Sequence, residues 1–284
     1  MILVTGAGGK TGKAVLKAIA ARGAPVRTFV RNPAHQAALR SIGADDVIVG
    51  EMDDPRALAR ATGGIAAVYH ICPNVSPHEL AFARALIGAA KNAGVARFVY
   101  HSVLHPQIEA MPHHWNKLRV EEMLFGCGLD FTILQPTAYM QNSLAEWERV
   151  VRDGIYRVPY PITTRLSLVD LDDVAEAAAL VLTAQGHNAA TYELVGTPPL
   201  SQIEIAEAFG RALNKTVRAE AEAVEDWDER ARAAGMNNAA RETLTKMFCA
   251  YARDGLTGNP NVLGWLLGRP PTSLATFAAR ITKT

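Results

Sequence analysis

Short apolar, β-branched runs alternate with stretches whose apolar positions recur every three to four residues, and this alternation organises the first half of the chain. The runs Met1 to Thr5, Pro25 to Val30, Asp46 to Val49, Ala66 to Ile71, Arg97 to His101 and Asp130 to Leu134 predict strands. Between them, Lys10 to Ala21, Pro33 to Ser41, Pro55 to Ala61, Pro77 to Ala93 and Trp115 to Phe125 predict helices, each closed by glycine or a polar turn. Strand and helix alternating this often means crossover units, hence a parallel sheet with helices on both faces. A strand as uniformly apolar as AAVYHI fits burial on both sides.

After Pro136 the pattern loosens. It predicts a helix from Tyr139 to Arg152, irregular chain through YRVPYPITTRLS, a helix from Asp170 to Thr183, a short strand near Tyr192 to Val195, and a mostly helical remainder from Ser201. The expected architecture is α/β, a Rossmann-type doubly wound parallel sheet in residues 1–136, with residues 137–195 partly returning to it. Residues 196–284 form a smaller, mainly helical lobe over the sheet's carboxyl edge.

Composition narrows the class of protein. Of 284 residues, 49% are hydrophobic and 20% charged, near globular averages, which excludes collagen-like, coiled-coil and disordered chains. Lys plus Arg number 29 against 28 Asp plus Glu, a net charge of +1, so no field recruits nucleic acid or an anionic membrane. The three cysteines, Cys72, Cys127 and Cys249, stand apart without CxxC spacing, which argues against a disulfide framework or a zinc cluster. With no signal-like start and no long apolar span, a cytoplasmic location is expected.

The first strand runs into Thr5-Gly6-Ala7-Gly8-Gly9-Lys10-Thr11-Gly12 and a helix follows at once, the placement a pyrophosphate cradle requires. Gly6 permits the tight turn, Gly9 lets the backbone approach the phosphates, and Gly12 allows close helix-to-strand contact; Gly8, Lys10 and Thr11 complete the loop. A Walker-type loop would need its first glycine where Val4 stands. An NAD site would place an acid at the end of the second strand, about 20 residues past the loop. Val30-Arg31-Asn32-Pro33 offers Arg31 instead, a planar fork suited to a 2′-phosphate, so NADP(H) is the expected cofactor and residues 1–136 its binding domain.

Further cofactor positions are expected at the carboxyl ends of strands. These are Asp53 after the third strand, Ile71, Cys72 and Pro73 after the fourth, and His101 at the end of the fifth. Two readings stand for Asp53, a contact to the adenine or the cap of the helix beginning at Pro55. Cys72 lies on the cofactor path or is a small apolar filler. Trp147, Trp227 and Trp265, with Met236, wall an aromatic pocket or pack in cores. No metal site is expected, because His70, His101 and His105 have no carboxylate at ligand spacing.

The chain resembles the NmrA-like branch of the atypical short-chain dehydrogenases/reductases. TGAGGKTG from Thr5, VRNP from Val30, MDD from Met52, YHSV from Tyr100, Lys117-x-x-x-Glu121-x-x-Leu124, LQPTAYMQN from Leu134, DLDDVAEAAALVL from Asp170 and YELVG from Tyr192 carry the resemblance. It implies one Rossmann domain with a small substrate lobe, and either an NADPH-dependent reductase of quinones, azo compounds and similar aromatics or a non-catalytic NADP(H)-sensing regulator. An isomerase that retains its cofactor is a third reading.

The resemblance also places a site. In short-chain dehydrogenases a serine is followed by Tyr-x-x-x-Lys, the tyrosine donating a proton and the lysine holding the nicotinamide ribose. Ser102 and Lys117 match two of these positions, and Pro136 of LQPTAYMQN joins the cofactor set. The tyrosine position is His113, so the usual proton relay is removed or replaced. His113 is either the substitute donor or a residue of a loop ahead of the helix; Ser102 either bonds a ligand or forms a turn; Lys117 either holds the ribose or lies on the surface. Tyr139 and Asn142 border the substrate pocket or begin a helix. The implied partner is a small aromatic molecule, with a homodimer admitted.

Overall fold

The computed structural model describes residues 1–283. Six strands, β1 (Ile2–Thr5), β2 (Val26–Val30), β3 (Asp46–Val49), β4 (Ala67–His70), β5 (Arg97–His101) and β6 (Asp130–Pro136), pair in parallel. The sheet order is β11-β6-β5-β4-β1-β2-β3, where β11 is Ala190–Leu194. That order reverses direction between β1 and β4, and the carboxyl ends of these two strands open the crevice where doubly wound sheets bind ligands.

The connecting helices are α1 (Lys10–Ala21), α2 (Gln36–Ile42), α3 (Pro55–Thr62), α4 (Glu79–Asn92) and α5 (Pro112–Phe125). Alternation along the strands divides the core. Leu3, Val68, Phe98, Tyr100 and Ile133 join Leu58, Leu86, Val120 and Leu124 of α3, α4 and α5 in one buried cluster. The chain divides into two compact units, the first being residues 1–107, 113–135 and 174–192. It holds nearly all of the sheet, α1 to α4, nearly all of α5, and residues Val174–Thr183 of α7 (Leu171–Thr183; α6 is Trp147–Asp153).

Several boundaries differ from the sequence expectation. The predicted Pro33–Ser41 helix is a 3₁₀ turn, Pro33–His35, capped by Asn32, followed by α2. α5 begins at Pro112, ahead of the expected Trp115, because proline is suited to a helix's first position. His113 therefore lies in the first turn, not in a loop. The expected Tyr139–Arg152 helix is a two-residue strand β7 (Ala138–Tyr139), a 3₁₀ stretch Met140–Glu146 and α6. Ser143 Oγ donates to the Met140 carbonyl at 2.6 Å, a local bond that competes with the helix ladder.

The second unit comprises residues 108–112, 136–173 and 193–284. Its helices are α8 (Gln202–Leu213), α9 (Val224–Ala233), α10 (Asn238–Asp254), α11 (Asn261–Leu267) and α12 (Leu274–Ile281), together with α6. It is not only helical. Ile155–Val158 (β8) pairs in parallel with Arg218–Ala221 (here β13), between which lie the short strands β9 (Arg165–Leu166), β10 (Leu168–Val169) and β12 (Leu200–Ser201). Trp147 packs edge-on against Phe209 and Trp227 against Phe248, so both serve packing, whereas Trp265 is 77% exposed.

The acidic run DLDDVA proves to be a structural latch. Asp173, 1% exposed, accepts from Arg269 Nη2 (2.8 Å), the Thr272 backbone N–H (2.6 Å) and Thr272 Oγ1 (2.9 Å). Asp170, fully buried, accepts from Arg280 Nη2 and Gln141 Nε2, each at 2.7 Å. Removing a buried carboxylate strands its donors, so Asp173→Ala should lower the unfolding free energy by about 3 kcal/mol. Urea titration checks this, and a loss below about 1 kcal/mol would contradict the latch, that being the scale of an ordinary surface pair.

Among the described residues, no helix is long and apolar enough to cross a membrane.

Candidate functional site

The glycine loop follows β1 without a break. Gly6 adopts φ +61°, and a Cβ there would meet the Ile71 carbonyl oxygen at 2.8 Å, so the tight turn abuts the end of β4. A Cβ on Gly12 would come within 2.4 Å of the Gly6 carbonyl oxygen and 2.6 Å of Ala7 Cα, which seals the helix against the loop. Gly9 is different. Its backbone is extended, it is exposed, and the nearest atom to an added Cβ is the Gly6 oxygen at 3.5 Å. Gly9 is also the N-cap of α1, and no side chain caps that end, so the helix N-terminus presents donors and positive potential toward this open side.

Around the loop, Thr5 Oγ1 accepts from the Ile71 N–H (3.0 Å), is hydrogen-bonded to His70 Nδ1 (3.0 Å) and lies 3.2 Å from the Ile71 carbonyl. This stitches the ends of β1 and β4 together. Thr11 is buried, and Lys10 is exposed. Arg31 stands exposed at the end of β2, and the His35 ring lies against Gly8, 2.8 Å from where a Cβ would sit. Asp54, not Asp53, caps α3 by accepting from the Arg56 N–H at 2.9 Å, so Asp53 is exposed without that duty. Cys72 is buried and Pro73 exposed; burial, followed by the Glu79 charge, pushes the Cys72 thiol up to about 12, so it is a neutral wall residue. Pro136, the last residue of β6, is buried.

A charged cluster lies below the ends of β4 and β5. Lys117 Nζ donates to Glu79 Oε1 at 3.1 Å and to the His101 carbonyl at 3.0 Å, and it sits 5.2 Å from the Tyr100 ring centroid. Lys117 is thus not a surface lysine. Tyr100 Oη donates to the same Glu79 oxygen at 2.8 Å. Burial raises the Glu79 carboxyl, but Lys117, His70 and the bonds from Tyr100 and Lys117 outweigh it and hold it below the ordinary range. His101 is buried and hydrogen-bonded to the Tyr69 hydroxyl, and desolvation takes its pKa down to about 3.

Two of the expected site residues lie in surroundings that bear on their roles. Ser102 is 2% exposed and its hydroxyl donates to Glu121, which also accepts from Gln135 Nε2 at 2.9 and 3.1 Å. The serine proton is committed to an interior carboxylate. His113, at the tyrosine position, is pushed down to about 3 by burial and then by His114 and Lys117, so its ring is neutral at physiological pH. A neutral imidazole is a poor acid, which weighs against a proton donor near its unperturbed pKa of about 6.5. Tyr139 and Asn142 fall in the second unit. Sequence reasoning did not single out Glu79, Tyr100, Gln135 or His35. Among the described residues, no three His, Cys, Asp or Glu side chains gather as a metal-ligand set.

Residues 1–274 match the NmrA-like family. The chain belongs to that family. It is 29% identical over 283 residues to an NAD(P)H azoreductase of Xenophilus azovorans, covering 98% of this chain and 96% of the relative. It is 26% identical over 279 residues to quinone oxidoreductase 2 of Escherichia coli (strain K12), covering 97% and 96%. The solved structure of an NADPH-dependent quinone oxidoreductase from Escherichia coli complexed with NADPH superposes with a TM-score of 0.87 at 26% identity, covering 99% of this NmrA-like chain and 100% of that one.

Proposed function

We propose that this NmrA-like protein is an NADPH-dependent reductase that passes hydride to a small aromatic acceptor such as a quinone or an azo compound. The observation that carries it is a cofactor platform without an acid: an open glycine cradle and an anchored Lys117, with a neutral His113 where the proton-donating tyrosine would stand. Full-length likeness to an azoreductase and a quinone oxidoreductase supports the same reading.

The residues divide the work. Gly6, Gly8, Gly9, Thr11 and Gly12, with the N-terminus of α1, bind the pyrophosphate, and Ile71 and Pro73 flank it. Arg31 pairs with the 2′-phosphate, and Lys117 directs a donor at the nicotinamide ribose. The bound nicotinamide supplies the hydride. Electron-poor quinones and azo compounds accept hydride without an activated carbonyl, so protonation from solvent suffices and the missing tyrosine is tolerated.

Arg31→Ala should bring NADPH affinity down toward that of NADH by about ten- to a hundredfold, the value of a charge-assisted pair of roughly 1.5 to 3 kcal/mol. Calorimetry with both cofactors reads this; an intact preference would transfer the role to Lys10. Anaerobic incubation with NADPH and a panel of quinones, azo dyes and aldehydes, following nicotinamide absorbance, tests the function. Turnover with quinones or azo dyes is expected. A protein that binds NADPH but oxidises it with no acceptor would be the non-catalytic NADP(H) sensor, the second reading favoured by the absent tyrosine.

A further inference from the structure

We infer that Glu79 is the positioning residue of Lys117: its carboxylate fixes the ammonium at the carboxyl end of β5 so that one N–H remains for the nicotinamide ribose. The inference deepens the proposed function and rests on Lys117 binding the cofactor.

Glu79 is the first residue of α4 and only 4% exposed, an unusual place for a carboxylate. The helix N-terminus favours its negative charge. Oε1 takes both the Tyr100 hydroxyl at 2.8 Å and Lys117 Nζ at 3.1 Å. An ammonium has three donors; Glu79 and the His101 carbonyl, at 3.0 Å, engage two. Three elements, α4, α5 and β5, thereby converge on one nitrogen. A buried ion pair of this kind adds little to stability compared with apolar residues of the same size, because desolvating two charges is costly. Its worth lies in holding a charge at a set place.

Tyr100 is not a displaced catalytic tyrosine. Its hydroxyl donates a hydrogen bond to Glu79, its side chain is fully buried, and burial together with the Glu79 charge raises its pKa well above the ordinary phenol value. The positive charge that ordinarily acidifies a tyrosine is here balanced by Glu79.

The test is a double-mutant cycle on NADPH binding, read by calorimetry, with steady-state constants alongside. Glu79→Gln keeps an oxygen for Tyr100 but loses the charge; it should weaken NADPH binding by about tenfold and raise KM for NADPH more than it lowers kcat. Glu79→Asp should recover part of the loss. Lys117→Met should weaken binding at least as much, and the double variant Glu79→Gln/Lys117→Met should bind no worse than Lys117→Met alone. Wild-type affinity in Glu79→Gln, or losses that multiply in the double variant, would overturn the inference while leaving the Lys117 reading intact. Wild-type affinity in Lys117→Met would overturn both, a different result. If Glu79→Gln does not accumulate, Glu79→Met/Lys117→Met serves the same comparison: binding equal to Lys117→Met supports the inference, and a further loss overturns it.

Discussion

Gly9→Val should lose NADPH affinity by at least about a hundredfold, roughly 2.7 kcal/mol, in a chain that still folds. Nothing in the protein requires glycine at this position, since its φ is −83°, its ψ 169° and its Cβ direction is open apart from one oxygen at 3.5 Å. In the proposed cradle, it is the ligand's approach that makes a side chain unwelcome there. Gly12→Ala should behave oppositely, as a folding defect of about 1 to 3 kcal/mol or more, because its Cβ would press on backbone atoms that cannot step aside. Circular dichroism melts and calorimetry on the pair separate the two roles. Wild-type affinity in a folded Gly9→Val would contradict the phosphate cradle.

Acid should begin to destabilise the protein above the pH range where carboxylates titrate. Burial lowers His70 and His114 to about 4, and His101 and His113 to about 3. In the unfolded chain each returns to about 6.5. These groups have depressed folded pKa values, so below about 6.5 the unfolded state takes up protons that the folded state refuses until about pH 4. Stability is therefore full above about 6.5 and falls with pH, by about 1.4 kcal/mol per unit for each histidine fully protonated on unfolding. Four such groups exceed the margin of an ordinary domain of about 5 to 15 kcal/mol within two or three units. Glu79, held low, adds to the loss at lower pH; Glu121, whose carboxyl is raised by burial, opposes it, but it is one group against four. Urea midpoints at pH 7.5, 6.5 and 5.5 should drop steeply over the last interval, whereas equal midpoints would show these rings to be protonated in the fold.

Local patterns made much of the fold legible. β3, β5 and α1 span the residues their apolar periodicity predicts, because buried parallel strands and an amphipathic helix after a glycine loop depend mainly on nearby residues. The β8–β13 pair escaped notice because Arg157 and Glu220 read as solvated positions, and their 3.1 Å contact spans distant segments of the chain. The same distinction runs through the site. Gly6, Gly9, Gly12 and Lys117 were visible as motif positions with a defined mechanical or chemical task. Glu79 was not, because an acid in a helix's first turn is ordinarily a solvated residue favoured by the helix dipole. Its partners come from distant segments, Tyr100 of β5 and Lys117 of α5. His113 was visible, but its neutrality depends on desolvation that no spacing reveals.

Hydride transfer from bound NADPH to an aromatic acceptor is the activity proposed for this chain. A single-turnover reaction under anaerobic conditions, with NADPH carrying deuterium at the transferring position of nicotinamide C4 and a quinone as acceptor, tests it most directly. Oxidation that requires the quinone and is slowed by the deuterium is expected. Bound NADPH that stays reduced when the quinone is added would contradict it.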